Sequence, residues 1–307
     1  MLRFEFTDIN NERLILDNPV YIVINQDENI PADDLTVTFP LIKNISELCE
    51  VEAFDGDKKV FRGIVDEQQS ILDNNSYYTR ITARSMAAAL LDNESRPVNY
   101  TDVSTSVIFN RHLLPNNITS YKGEDKVLKG SFNISKGMSD WQAFSMFCLR
   151  VFNKVPRIEP DAACFTGGEC EDELKFSNVN GIRYNSIKEN IKRHKIISDV
   201  IIKPVKSDNY NTVYNDSFSK SHNIIRKRYV DIFSEKDYDT ARMILENSRK
   251  NSFEITLTTP RGIIDKLGAK VSIEDENLGN LQGLYISSIY YCLTPEKEET
   301  TLILKRN

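Results

Sequence analysis

Histidine, tryptophan and cysteine are scarce in this 307-residue sequence, and the scarcity removes several kinds of chemistry. The three histidines, His112, His194 and His222, are scattered, and the five cysteines include one close pair, Cys164 and Cys170 in CFTGGEC. A zinc tetrad needs two such pairs or an equivalent set of imidazoles at short spacing, and no second pair exists. Cys49, Cys148 and Cys292 lie among apolar neighbours and read as small buried hydrophobes. Cys164 and Cys170 could close a hairpin disulfide or offer two thiolates. Reduced structural thiols are the expectation, with oxidation open to them in air. No metal and no cofactor are expected. No stretch approaches the roughly 20 apolar residues of a membrane span. The start, MLRFEFTDINNERLILD, lacks the basic-then-apolar order of a signal peptide. A chain made in a cytoplasm, with no membrane partner, is the expectation.

Catalytic signatures are missing too. There is no G-x-S-x-G elbow, HExxH helix, P-loop, or GxGxxG after a strand. Acidic groupings do occur: Asp33 with Asp34, Asp55 with Asp57, and Glu169, Glu171, Asp172 and Glu173. A glycosidase pair must stand about 5–9 Å apart across a cleft, one carboxyl in an apolar pocket. Asp55 and Asp57 instead flank a turn, and the Glu169 group sits in a Gly-rich loop, where acids are ordinary. No catalytic residue is expected.

What is present is ordinary globular material. Apolar residues make 40% and charged residues 27%, and the length suits two domains with an insert. The net charge of −6 is unevenly spread. Residues 1–95 hold 18 acids against 8 bases, net −10, and residues 183–228 hold 11 bases against 4 acids, net +7. The overall acidity argues against a dedicated, specific nucleic-acid binder. The asymmetry suits a protein that meets different neighbours at its two ends, or two solvated surfaces of opposite sign. The run Arg226, Lys227, Arg228 lies in a strand pattern that sends alternate residues to opposite faces, so it is read as an interface or solvated edge, not a phosphate patch.

Along the chain, LRFEF, VYIVIN and LTVTF are β-branched and aromatic runs with alternating character. A hairpin follows: LCEVEAF, a turn at Asp55-Gly56, then VFRGIVDE, in which Gly63 suggests a bulge or bend. SYYTRITA closes a first barrel. Three helices are then predicted: ARSMAAALLDNE, ending before Pro97; TDVSTSVIFNRHLL, capped by Thr101; and SDWQAFSMFCLRVFN. The last carries a capping box, Ser139 with Gln142, an apolar stripe of Phe144, Phe147, Cys148 and Val151, and a stop at Pro156. Strands return as HKIISDVIIKPV, NTVY and NIIRKRYVDI. The helix SEKDYDTARMILENSRK (234–250) is capped by Ser234 with Asp237 at N3 and faces inward through Tyr238, Ala241 and Leu245. SFEITLTT, AKVSIE, GLYISSIYYCL and ETTLILK finish the chain, the last two joined through Thr294–Glu299. The expected fold is α+β, mainly β: small antiparallel barrels at 1–95 and 183–307 around a mixed, helix-containing insert at 96–182, loop-rich near Asp161–Glu173.

Three segments, KKVFRGIVDEQ with YYTRITARSMAAALLDNE, GMSDWQAFSMFCLRVFNKVPRIE, and LGNLQGLYISSIYYC with TTLILKR, resemble the hub proteins of contractile phage tails. These include the late control gene D family and the tail hubs of Firmicute prophages, and the hub part of type VI secretion spike proteins is related. The resemblance implies a non-enzymatic virion or bacteriocin component: a homotrimer whose six tube-like barrels match a six-fold tail tube above and a three-fold central spike below. Wedge and tape-measure proteins are further implied partners. Because the chain stops at Asn307, the spike is expected to be a separate protein. The Cys164–Glu173 loop is not a recognised feature of the family. Competing readings are a tail-associated peptidoglycan hydrolase, a wall- or receptor-binding module, and a tube or wedge subunit.

Overall fold

The computed structural model describes residues 2–40, 45–168, 170–204, 208–231 and 237–306. The chain opens as β1 (Arg3–Asp8), β2 (Arg13–Leu16), β3 (Tyr21–Asp27), β4 (Asp34–Pro40), β5 (Leu48–Asp55), β6 (Lys58–Asp73) and β7 (Ser76–Ser85). There follow α1 (Ala87–Asp92), β8 (Val98–Ser104), α2 (Thr105–Ile108), β9 (Tyr121–Lys122), β10 (Val127–Ile134), α3 (Asp140–Phe152), β11 (Arg157–Ile158) and β12 (Ala163–Cys164). Then come β13 (Glu173–Ser177), β14 (Ser186–Ile191), β15 (Asp199–Lys203), β16 (Thr212–Asn215), α4 (Ser217–Ser221), β17 (Lys227–Asp231) and α5 (Asp237–Lys250). The last strands are β18 (Phe253–Thr259), β19 (Lys270–Asp275), β20 (Gly279–Leu293) and β21 (Glu298–Arg306). The fold is mainly β with short helices. One compact unit comprises Met1–Asp172, Thr259–Ala269 and Ser287–Thr301, and a second comprises Glu173–Thr258, Lys270–Ile286 and Leu302–Asn307.

In the first unit the ladder runs β20–β3–β4–β7–β6–β5–β1–β2. β1 and β3 bury every second residue, as one-sided sheets require. Phe4, Phe6, Ile22, Ile24 and Phe39 are thereby gathered into one core, where Phe39 stands edge-on to Phe4 at 5.7 Å and to Phe6 at 6.1 Å. The predicted hairpin forms one residue later than expected: Asp55 pairs with Lys58, so the two-residue loop is Gly56–Asp57. Gly56 has φ of 60° and Asp57 is not among the positive-φ residues, the pattern of a type II′ turn. Gly63 is no bulge. It pairs with Val51 on one side and Ser85 on the other, and the register shifts fall on either side of it, at Val60 against β5 and between Val65 and Glu67 against β7. Its constraint is space, since a Cβ there would sit 2.2 Å from the Arg84 carbonyl oxygen.

The middle of this unit corrects the second predicted helix. Residues 98–104 form β8, which pairs antiparallel with β10, so Thr101 lies mid-strand and caps nothing. Pairing with β10 wins because it buries Tyr100 and Val103 beside Phe132 in the core. The cap is Ser104, whose hydroxyl accepts from Val107 N at 3.3 Å, and α2 then passes into a π-helical turn, Phe109–Leu113. Helix α3 forms as the sequence predicts. Ser139 Oγ accepts from Gln142 N at 3.2 Å and Gln142 Oε1 from Ser139 N at 2.9 Å. The helix ends at Asn153, left-handed with φ of 55°, three residues before Pro156. Phe144, Phe147 and Cys148 are fully buried.

The second unit departs from the purely antiparallel expectation. β13 pairs parallel with β19, and β15 pairs parallel with β17 while pairing antiparallel with β16. A parallel pair needs a crossover of a dozen or more residues, which β16 and α4 supply between β15 and β17. Helix α5 packs Ala241 into a small core with Ile197, Val200 and Ile202, and Leu245 packs against it. The predicted cap Ser234 and the side chain of Tyr238 lie outside the described residues. Among the described residues the hydrogen-bonded path has β14 and β2 at its ends and does not return on itself, so these ladders form no closed barrel. Both end strands are short, and closure requires end strands to meet.

Candidate functional site

The acidic residues singled out in the sequence are not brought together. Asp55 and Asp57 are exposed at the β5–β6 turn, and Glu171 and Glu173 are exposed beyond β12. Glu169 lies outside the described residues. Asp172 pairs with Lys266 at 2.5 Å. Asp33 behaves differently. It is buried, held by Arg157 at 2.6 and 2.8 Å, and accepts from Gln26 Nε2 at 3.1 Å. Burial pushes its carboxyl up, against Arg157 and Gln26. Its backbone N–H donates to Ser85 Oγ at 3.0 Å, which fixes the entry to β4. An acid so enclosed and so paired holds structure together and has no route to a substrate.

Sequence reading passed over one constellation, because its members come from residues 95 to 140 and share no periodicity. Ser95, His112 and Asp140 are buried and mutually bonded. A nucleophilic triad requires serine on one imidazole nitrogen and carboxylate on the other. Here Ser95 Oγ and Asp140 Oδ1 both lie 2.9 Å from Nδ1, and Nε2 is taken by the Tyr100 hydroxyl at 3.0 Å. In the Nδ1–H tautomer the ring donates to Asp140 and accepts from Tyr100, which uses both nitrogens. Asn116 completes the set, donating to His112 O at 2.7 Å and to Asp140 Oδ2 at 3.0 Å. Burial would raise the Asp140 carboxyl, but bonds from His112, Asn116 and Ser95 hold it below the ordinary range. The arrangement ties the first turn of α3 to β8 and to the π-turn.

The Cys164–Glu173 loop acquires a role within its own unit. Phe165 is fully buried, 4.8 Å from the Phe144 ring, 5.4 Å from Tyr121 and 6.1 Å from Phe147. Ion pairs pin the flanks: Lys122–Glu159 at 2.7 Å and Lys59–Asp161 at 2.8 Å. All five cysteines are free. Burial pushes the Cys164 thiol up to about 12, and Cys170 is raised as well, first by burial, with its Sγ 3.3 Å from Asp172 Oδ2. Neither is a ready thiolate. Among the described residues no group of three or more His, Cys, Asp or Glu could hold a metal ion, and no helix is long and apolar enough to cross a membrane. Arg226 is spent on backbone, donating to Ile196 O at 3.0 Å, while Lys227 and Arg228 are exposed neighbours on one strand.

No family model matches the chain, and neither does any curated protein. Solved structures do. A tail protein from Neisseria meningitidis superimposes with a TM-score of 0.79 at 17% identity, covering 100% of this chain and 96% of that one. The 43 kDa tail protein of prophage MuSo2 from Shewanella oneidensis gives 0.79 at 11% identity, covering 99% and 97%. An Escherichia coli type VI secretion component, described as structurally similar to T4 bacteriophage tail proteins gp27 and gp5, gives 0.60 at 9% identity, covering 94% and 74%. Over its whole length, therefore, this chain has the fold of those tail proteins, and it shares that fold with a component of the type VI secretion system.

Proposed function

We propose that the chain is the structural baseplate hub of a contractile phage tail or a phage-tail-like bacteriocin. The observation that carries this reading is the end-to-end fold match with two tail proteins. Each chain supplies two tube-like β units built on open sheets, and three chains make a pseudo-six-fold ring. On one side the ring meets the six-fold tail tube protein, and on the other a three-fold central spike, with wedge and tape-measure proteins as further neighbours. The role is non-enzymatic. Supporting this, the exposed acids are dispersed and the Ser95–His112–Asp140 set has the wrong connectivity for acyl transfer. Assembly takes place in the bacterial host cytoplasm and the product resides in the particle.

The mass of the purified chain by light scattering and its copy number in imaged particles test the reading together. Three copies at the junction of tube and spike are expected, and six there would overturn it. A cell-wall turbidity assay should show no clearing, and clearing by the purified chain would restore the hydrolase reading.

A further inference from the structure

The turn that follows β13 holds the sole Asn-Gly dipeptide of the sequence, Asn180-Gly181. Its ends are pinned: Ser177 N donates to Ile182 O at 3.0 Å, and Ile182 N to Lys175 O at 2.9 Å. Its apex stands in water, with Val179 83% exposed and Asn178, Asn180 and Gly181 exposed beside it. The two asparagines are held differently. Asn178 Oδ1 accepts from Tyr184 N at 3.0 Å, and the N–H that follows it, on Val179, donates to Ser177 Oγ at 3.3 Å. Asn180 is bonded through its own backbone N–H, to Ser177 Oγ at 3.4 Å. Among the described residues its side-chain amide has no hydrogen-bond partner, and the Gly181 N–H meets no acceptor. Gly181 is fixed by space, since a Cβ there would lie 2.7 Å from Lys175 O and 2.9 Å from Ser177 N. The fold therefore keeps a glycine directly after an exposed, unengaged asparagine.

We propose that Asn180 is a site of spontaneous covalent modification, converted to aspartate and isoaspartate in the folded chain. The Gly181 nitrogen attacks the side-chain carbonyl carbon of Asn180 and gives up its proton to solvent base. The new C–N bond closes a succinimide as the bond to the side-chain nitrogen breaks, and that nitrogen leaves as ammonia. Water then opens the ring at one carbonyl or the other, so each conversion consumes a water and releases an ammonia. Three features of the turn favour the attack. The attacking nitrogen is not committed to an acceptor, no Cβ on residue 181 screens it, and the amide it attacks is free in water. Asn178 has none of the three: its amide oxygen is bonded, the following N–H is bonded, and Val179 is stiff and branched. Each conversion places a negative charge on an exposed turn. Isoaspartate also adds a carbon to the main chain between the two bonds that close the turn, so the Ser177–Ile182 closure loosens where β13 ends.

The test incubates the purified full chain in mildly alkaline and mildly acidic buffer and follows the tryptic peptide 176–183 by mass spectrometry against a digest made at the start. Electron-transfer fragmentation locates the change and tells isoaspartate from aspartate. That peptide carries Asn178 as well as Asn180, so every digest contains its own control. Conversion at Asn180 should run roughly tenfold or more ahead of Asn178, whose follower is β-branched. It should quicken with alkalinity, because the attacking nitrogen must lose its proton. Hydroxylamine, which opens the same succinimide, should cut the native chain between Asn180 and Gly181. Asn180→Gln, whose longer side chain closes a ring poorly, should abolish both signals with an unchanged melting curve. A native chain in which Asn180 stays unconverted overturns the proposal, and conversion of the same chain in urea would then show that the pinned turn forbids the attack. Conversion in the native chain that begins at Asn178 overturns it equally.

Discussion

Truncating Phe147 to alanine removes the ring at the centre of the aromatic cluster in the first unit. The side chain is fully buried, 6.0 Å from Phe132, 6.1 Å from Phe165 and 6.4 Å from Phe152, ring centre to ring centre. Those neighbours sit on β10, on the loop after β12 and at the end of α3, three pieces of backbone each held by its own hydrogen bonds. They cannot collapse together into the vacated space, so the lost transfer free energy is joined by a cavity penalty. A Phe→Ala change of this kind costs about 3–5 kcal/mol, a large part of the roughly 5–15 kcal/mol that holds a typical domain folded. At about 2–4 °C per kcal/mol, the melting temperature should fall by roughly 6–20 °C. Ser139→Ala is the control on the same helix, since it removes only the cap, at a cost of about 1 kcal/mol. Thermal unfolding followed by near-ultraviolet circular dichroism reads both, and soluble yield should fall in the same order. A soluble Phe147→Ala protein with an unchanged melting temperature would refute the packing argument.

Gly63→Ala drives a methyl group into the Arg84 carbonyl, which the β6–β7 ladder holds in place. A loss near the upper end of overpacking costs, about 3 kcal/mol, is expected in the urea midpoint, and a neutral result would show that the ladder can part there. The Asp140 carboxyl is depressed in the folded chain, so its contribution is present above the unfolded value near pH ~4 and is lost as pH falls through the folded value. Asp140→Asn should therefore be less stable than the parent at pH 7, with the gap narrowing in acid. A gap constant across denaturation curves from neutral to acid would remove the charge from the explanation. Cys164 should resist iodoacetamide in the native chain and label with global unfolding, and rapid native labelling mapped to Cys164 by mass spectrometry would contradict its burial. Neutralising Asp55, Asp57 or Glu171 should leave particle assembly and infection or killing intact, and inactive but normally assembled particles would expose a missed site.

What the sequence discloses is what local chemistry decides. Alternation in LRFEF and VYIVIN becomes the buried faces of β1 and β3 because a strand with one wet side permits little else. The Ser139–Gln142 box marks the start of α3 because both halves of that reciprocal bond lie within four residues. The errors share the opposite character. In TDVSTSVIFN, Val103, Val107 and Ile108 are spaced as a helix would space them, and the choice of strand for its first half is made by β10, more than twenty residues away. The parallel pairs β13–β19 and β15–β17 are likewise fixed by partners distant in the chain. At Gly63, expected to mark a bulge or bend, the ladder shows no bulge. A glycine in a strand marks either a bulge or a close backbone, and only the position of Arg84 distinguishes them. The His112 arrangement draws on residues 95, 100, 112, 116 and 140, a set with no local signature.

An identity of 11 to 17% over nearly the full length is compatible with a shared fold because few positions here have only one solution. The core asks for apolar side chains of suitable total volume at alternate positions, which many combinations satisfy. Gly63 and the left-handed Asn153 are among the minority where backbone geometry restricts the choice. The reverse holds for Leu72, Tyr77 and Val213. The fold gains little from apolar groups at those places, and water disfavours a patch of them. A residue that neither folding nor solvation favours points to a third surface, and function on a shared fold resides in such surfaces. For a chain whose proposed work is to join a tube to a spike, those exposed apolar positions carry more functional information than any of its buried acids.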